Sequence, residues 1–166
     1  TLELLGIIHC GFTDDDVAIA AGLTHLMGLA VMAEEDLTDI SDLSTLSLSI
    51  AAFAECPITD FSVAANWPNL FMVQMDGTNV SDLDGLADLE NLNEVSFQQC
   101  ALTDISGLDN RTSIARLSLR QNLIGDANTP VLSTLTGLEE LDLEDNQLTD
   151  IQALVDLGKS ILTHPV

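Results

Sequence analysis

From Leu138 to Asp150 the chain reads Leu-Glu-Glu-Leu-Asp-Leu-Glu-Asp-Asn-Gln-Leu-Thr-Asp. Leu141-Asp142-Leu143 alternates apolar and polar with a period of two, the mark of a short strand with alternate side chains facing inward. Asn146 follows at the point where the chain must turn, and its amide can satisfy backbone groups buried there. Leu148-Thr149-Asp150 then ends the stretch with a residue type that starts helical segments. Strand, turn and helix start thus follow one another within a few residues.

The same order recurs upstream. Ile114-x-x-Leu117-x-Leu119-x-x-Asn122 precedes Ile124, and Leu92-x-x-Val95-x-Phe97-x-x-Cys100 precedes Leu102. Leu70-x-x-Val73-x-Met75-x-x-Thr78 precedes Val80, and Leu48-x-x-Ala51-x-Phe53-x-x-Cys56 precedes Ile58. The first copy is Leu2-x-x-Leu5-x-Ile7-x-x-Cys10 before Phe12. In the second, Leu26-x-x-Leu29-x-Val31-x-x-Glu34 is followed by Leu37 one residue late, which predicts a bulge near Glu35-Asp36. The aspartates that close the copies are Asp14, Asp39, Asp60, Asp82, Asp104, Asp126 and Asp150, spaced by 25, 21, 22, 22, 22 and 24 residues. A period near 22 predicts a stack of repeats, each burying its apolar side against the next. In each copy the Asp is expected to cap a brief 3₁₀ or α segment such as Leu83-x-x-Leu86-x-x-Leu89.

These residues resemble the leucine-rich repeat family, L-x-x-L-x-L-x-x-N/C-x-L. The 22-residue length and the Leu-Thr-Asp-Ile phrase resemble the bacterial internalins, a subclass similar to the eukaryotic phosphatase-regulatory repeat proteins. The resemblance runs from Leu2 to about Leu157 and implies an α/β solenoid. That solenoid is a curved right-handed coil with a parallel sheet on its concave face and short 3₁₀ or α segments on its convex face. Residues 1–166 are expected to form a single domain of about seven repeats. Internalins carry a helical cap before the repeats and an immunoglobulin-like module after them. Neither is recognisable here, and the tail Gly158 to Pro165 is too short for a module, so the chain is expected to be part of a longer protein. An uncapped apolar end also offers a route to a dimer.

Composition narrows function further. With 27 acidic against 4 basic residues, the formal charge is −23. Nucleic acids and anionic membranes are disfavoured, because phosphate contacts need clustered Lys and Arg. A crowded, salty or extracellular setting, or a basic partner, suits that charge. No apolar run reaches the ~18–20 residues of a membrane-spanning helix.

No constellation for catalysis, metal or cofactor emerges. Cys10, Cys56 and Cys100 occupy the slot of Asn146 in alternate copies. Repeats stack at about 4.8 Å, so these cysteines lie about 10 Å apart, too far for a disulfide. Three free, buried thiols are expected. His9 and Cys10 are adjacent in a strand and point to opposite faces. The column of aspartates reads as caps rather than as calcium ligands, since capping accounts for one Asp per repeat. Trp67-Pro68-Asn69 reads as a packing anchor.

Function is therefore sought at the strand positions that face outward. The first copy offers Leu4, Ile8 and His9; the second Met27, Ala30 and Met32; the third Ile50, Ala52 and Ala54. The fourth offers Phe71, Met72, Gln74 and Asp76; the fifth Glu94, Ser96 and Gln98. The sixth offers Arg116, Ser118 and Arg120; the seventh Glu140, Asp142 and Glu144. The early copies are apolar and the late ones charged. Contiguous apolar surface marks an interaction site, a dimer contact or the seat of a cap. Arg116 and Arg120 either pair with Glu140, Asp142 or Glu144 across strands or meet a partner. Ile50, Phe71, Met72, Gln74, Glu94, Gln98, Arg116, Arg120, Glu140 and Asp142 are the candidate contacts to a protein partner. The resemblance implies a non-catalytic, adhesion-type binding module of a secreted or cell-surface bacterial protein. The alternative it leaves open is a cytoplasmic regulatory scaffold, which three unpaired cysteines favour.

Overall fold

Where Leu, Val or Phe alternate with other residues, the chain extends, because only an extended backbone sends every second side chain to the same face. The computed structural model describes residues 1–150, 152–155 and 160–162. Its strands are β1 (Leu4–Ile8), β2 (Gly28–Met32), β3 (Ile50–Ala54), β4 (Met72–Gln74), β5 (Glu94–Ser96), β6 (Arg116–Ser118), β7 (Glu140–Asp142) and β8 (Ser160–Leu162). They form one parallel sheet in chain order, each paired to the next. β8 lies beyond the last copy of the sequence pattern and continues the sheet past β7.

Register is exact from coil to coil. Leu5, Leu29, Ala51, Val73, Val95, Leu117 and Leu141 stand side by side and face the core. Two residues on, Val31, Phe53, Met75, Phe97, Leu119 and Leu143 are all buried. The solenoid therefore has a single continuous core, running behind the sheet from Val17 to Leu154. Trp67 is fully buried in it and donates its indole N–H to the Leu43 carbonyl at 3.1 Å. Phe61 meets Trp67 and Phe97 edge to face, at centroid distances of 5.9 and 6.0 Å. Trp67 is the packing anchor read from the sequence.

The return paths differ with repeat length. Copies of 21 or 22 residues have room for one tight turn, and 3₁₀ segments occupy Ser41–Thr45, Ser62–Asn66, Asp84–Leu86 and Ser106–Leu108. The two longer steps hold α-helices, α1 (Asp14–Ala20) and α2 (Thr129–Thr134); a further one, α3, is Gln152–Val155. Close stacking of these segments excludes side chains at Gly107 and Gly137. A Cβ there would collide with the carbonyls of Leu83 and Thr112.

In four copies the aspartate stands one residue ahead of the N-cap, which is Ile40, Phe61, Leu83 or Ile105, so it does not take the cap position expected of it. Asp39, Asp60, Asp82 and Asp104 accept the N–H two residues ahead, from Ser41, Ser62, Asp84 and Ser106, at 2.7–2.8 Å. The Ser62 N–H and hydroxyl hold the Asp60 carboxyl below its usual value. The outer copies depart from this. Thr13 caps α1, and Asp16 reaches back to its N–H at 3.0 Å. Asp14 instead crosses to the next coil, accepting the Thr38 N–H, the Thr38 hydroxyl and the Asp39 N–H at 2.7–2.9 Å. Asp126 does the same with the Thr149 hydroxyl, the Thr149 N–H and the Asp150 N–H. Both belong to copies whose step to the next Asp is long, so these carboxylates tie the helical coils to the stack.

The turn out of each strand uses a left-handed residue: His9, Ala33, Glu55, Gly77, Gln99, Gln121 and Asp145, with φ from 49° to 69°. Six of these seven are not glycine, at a cost of about 1–2 kcal/mol each. The conformation aims N–H groups at the next coil, as in Ala33 to Ala54, Glu55 to Asp76 and Gln99 to Arg120.

The slot that follows forms the ladder. The Asn122 oxygen accepts the N–H groups of Cys100 and Leu102 in the preceding coil, while its amide nitrogen donates to the Phe97 and Leu119 carbonyls. Glu34 does the accepting in the second coil. Its carboxylate takes the N–H groups of Cys10, Gly11 and Phe12 at 2.7, 2.9 and 3.1 Å, and the Cys10 bond chiefly lowers its pKa. The late Leu37 is accommodated by a hydrogen-bonded turn from Glu34 to Leu37, rather than by a strand bulge. All three cysteines are free, but only Cys56 and Cys100 are buried. Cys10 is exposed, which departs from the three buried thiols expected. The Cys56 and Cys100 thiols each reach a carbonyl of a preceding coil, Val31 and Met75, whereas the Cys10 thiol donates to the Ile8 carbonyl in its own coil.

Candidate partner-binding surface

Because inward residues are fixed by the core, the residues between them are free to vary, and register groups them into rows. The first outward row is Leu4, Gly28, Ile50, Met72, Glu94, Arg116 and Glu140. The second is Gly6, Ala30, Ala52, Gln74, Ser96, Ser118 and Asp142. The third starts with Ile8, Met32 and Ala54, and continues two residues beyond the second row through Asp76, Gln98, Arg120 and Glu144. Nine of the ten candidate contacts lie on these rows. The exception is Phe71, which precedes β4 and is 47% exposed. Its carbonyl accepts the N–H groups of Asn93 and Glu94 at the leading rim of the sheet. Met27 holds the equivalent place ahead of β2, and Gly28 takes the row position instead. Ala52 and Ala54 face outward by register yet are covered, because short side chains lie low among larger neighbours.

The late strands carry an ionic network. Arg116 pairs with Glu94 at 2.5 Å and Glu140 at 3.5 Å, bridging three adjacent strands. Arg120 pairs with Glu144 at 2.6 Å and Asp145 at 3.9 Å. The cross-strand pairing weighed for these arginines is what they form. In the middle of the sheet, Asp76 accepts the Ser96 hydroxyl at 2.6 Å, the Gln98 N–H at 2.8 Å and the Gln74 amide at 2.8 Å. That fixes Gln74 and Gln98 in place. A shallow depression of about 310 Å³ runs across β4–β7, lined by Met72, Glu94, Ser96, Arg116, Ser118, Glu140 and Asp142 over the Val95, Leu117 and Leu141 layer.

For the Cys56 and Cys100 thiols, burial pushes the pKa up and keeps both protonated at neutral pH. Among the described residues, no three His, Cys, Asp or Glu side chains gather as a metal site requires. No helix of the described residues is long and apolar enough to cross a membrane. What the sheet offers is a broad, shallow surface with ordered polar groups and exposed apolar ones, which suits contact with another macromolecule.

Known proteins share this architecture. No family profile matches the chain. The internalin InlF of Listeria monocytogenes superposes with a TM-score of 0.75 at 25% identity, over 99% of this chain and 54% of that one. The Listeria internalin InlC2 gives 0.75 at 23% identity, over 97% and 80%. A leucine-rich repeat protein of Leptospira interrogans gives 0.72 at 18%, over 86% and 38%. In sequence, the rat leucine-rich repeat-containing G-protein coupled receptor 5 is 28% identical over 131 residues, which is 78% of this chain and 14% of the receptor. The chain thus spans about half of InlF and a small part of the receptor. Repeat period, parallel sheet and ladder agree with these likenesses: the chain folds as a leucine-rich repeat solenoid similar to those of the internalins.

Proposed function

We propose that this chain is the non-catalytic binding module of a secreted or cell-surface bacterial protein, and that it recognises a protein partner through the open face of its sheet. The observation that carries this reading is the contrast between rows. Inward positions repeat the same apolar types, whereas outward positions change from coil to coil and leave Leu4, Ile8 and Ile50 exposed. Exposed apolar groups beside ordered polar ones are what a partner desolvates. The internalin-like fold supports both the binding role and the surface location.

The test is site-specific photo-crosslinking in native surroundings. A benzophenone side chain at Gln74, on the open face, is expected to trap a protein that the same group at Ser62, on the opposite face, does not. Alanine at Phe71, Met72 or Arg116 should weaken that capture while leaving the circular dichroism unchanged. Equal trapping from both faces contradicts the assignment.

One observation favours a second reading, an intracellular scaffold resembling phosphatase-regulatory repeat proteins. Cys10, Cys56 and Cys100 are all free thiols, and free thiols persist in reducing compartments. Fractionation of the native host separates the two locations.

A further inference from the structure

We infer that the segment seated on the sheet is cationic and amphipathic, apolar where it crosses β1–β3 and positively charged where it crosses β5–β7. This rests on the reading of the open face as the protein-binding surface and adds the partner's chemistry and direction.

The apolar part is a trough. Its floor is Gly6, Ala30 and Ala52, which carry nothing beyond a Cβ. One wall is Leu4, Ile50 and Met72, and the other is Ile8 and Met32. Leu4 and Ile8 are 63% and 58% exposed. None of the nine outward positions of β1–β3 is charged. With strands about 4.8 Å apart, this uncharged strip runs for about 14 Å before the polar groups of β4 and β5 begin.

The other part is acidic. The same nine positions on β5–β7 hold the carboxylates of Glu94, Glu140, Asp142 and Glu144 against the guanidiniums of Arg116 and Arg120, a balance of −2. Both arginines are held by neighbouring carboxylates. The Glu140 side chain is 71% exposed. Charge decides between occupants. A second copy would bring another −23 against this face, and an anionic polymer or bilayer would be repelled likewise. A basic segment gains on the acidic strands and loses nothing on the neutral ones.

The experiment is selection from a displayed random peptide library on the immobilised chain, then titration of the synthesised peptides. They are measured against wild type, against Ile50→Ser and Met72→Ser separately, and against Glu140→Gln with Asp142→Asn. A control removes equal charge from the opposite face with Asp60→Asn and Asp82→Asn. Selected peptides should join an apolar stretch to Lys or Arg. Affinity should fall about tenfold in the apolar variants and in the Glu140/Asp142 variant, and the latter should also flatten the salt dependence. The opposite-face control should change it by less than about twofold. Peptides without basic residues, or peptides lost on Ile50→Ser but indifferent to Glu140→Gln with Asp142→Asn, overturn the inference and leave the binding face intact. Indifference to every open-face change overturns both. Equal loss in the opposite-face control, an empty selection, or a wild-type dimer that Ile50→Ser dissociates each overturns the cationic partner.

Discussion

Strands β1–β3 and β5–β7 share one register and one buried layer, yet their open faces have opposite chemistry. The first set presents Leu4, Ile8 and Ile50 over a floor of Gly and Ala; the second presents Arg116 and Arg120 among carboxylates. The difference shows how a solenoid separates its tasks. Inward residues and turn residues fix the stack, and outward residues can change sign from coil to coil without touching it.

If the two halves rest on one core, a large cut at their junction must unfold both. Phe97→Ala removes a fully buried ring that packs against Phe61, and should cost about 3–5 kcal/mol. Denaturation followed by circular dichroism and by Trp67 fluorescence should give one coincident, shifted transition. Two separate transitions would break the unity of the core. Gly107→Ala tests the opposite side of the same junction. Its Cβ meets the Leu83 carbonyl, a backbone atom that cannot turn aside, so a loss of about 1–3 kcal/mol is expected in the same assay.

Glu34→Gln sharpens the contrast inside the apolar half. Glutamine keeps one acceptor oxygen and turns a donor toward N–H groups that the second carboxylate oxygen now receives. The melting temperature at pH 7 should drop by several degrees. Glu34 titrates below the ordinary 4.5 because three N–H groups stabilise its anion, so its contribution is complete above that value and lost as pH falls through the lowered folded value. The gap between wild type and variant should therefore narrow as the pH falls below that ordinary value. A gap that persists there would mean that shape, not charge, holds the first coil.

The smallest effects belong to the open face itself. Arg116→Ala should change stability by at most about 1 kcal/mol, and less at high salt, because both pairs are half exposed. Ile50→Ser should stay within about 0.5 kcal/mol. Larger values at either site would mean that the outward rows share in holding the fold.

The repeat made the strands and the core legible, because period-two alternation at a fixed spacing leaves few other structures open, whereas the caps lie one residue away from the aspartates expected to form them. Glu34 appeared only as an irregular ladder residue; its use as a triple acceptor depends on N–H groups 22–24 residues away. Cys10 carried the same slot signature as Cys56 and Cys100, yet it is exposed. The left-handed turns were silent, since only Gly77 among them carries the usual residue. On the open face the charge gradient was readable. The place of Gly6 and Gly28 in the outward rows and the displacement of Phe71 and Met27 to the rim emerged only with exact register.

The most direct measurement of the central claim compares the crosslinked partner's affinity for two variants of equal stability. Met72→Ser changes an outward row, and Asp82→Asn changes the opposite face. Affinity should fall about tenfold for Met72→Ser and stay within about twofold for Asp82→Asn. Unchanged binding by Met72→Ser, or an equal loss in both, would contradict the assignment of recognition to the sheet.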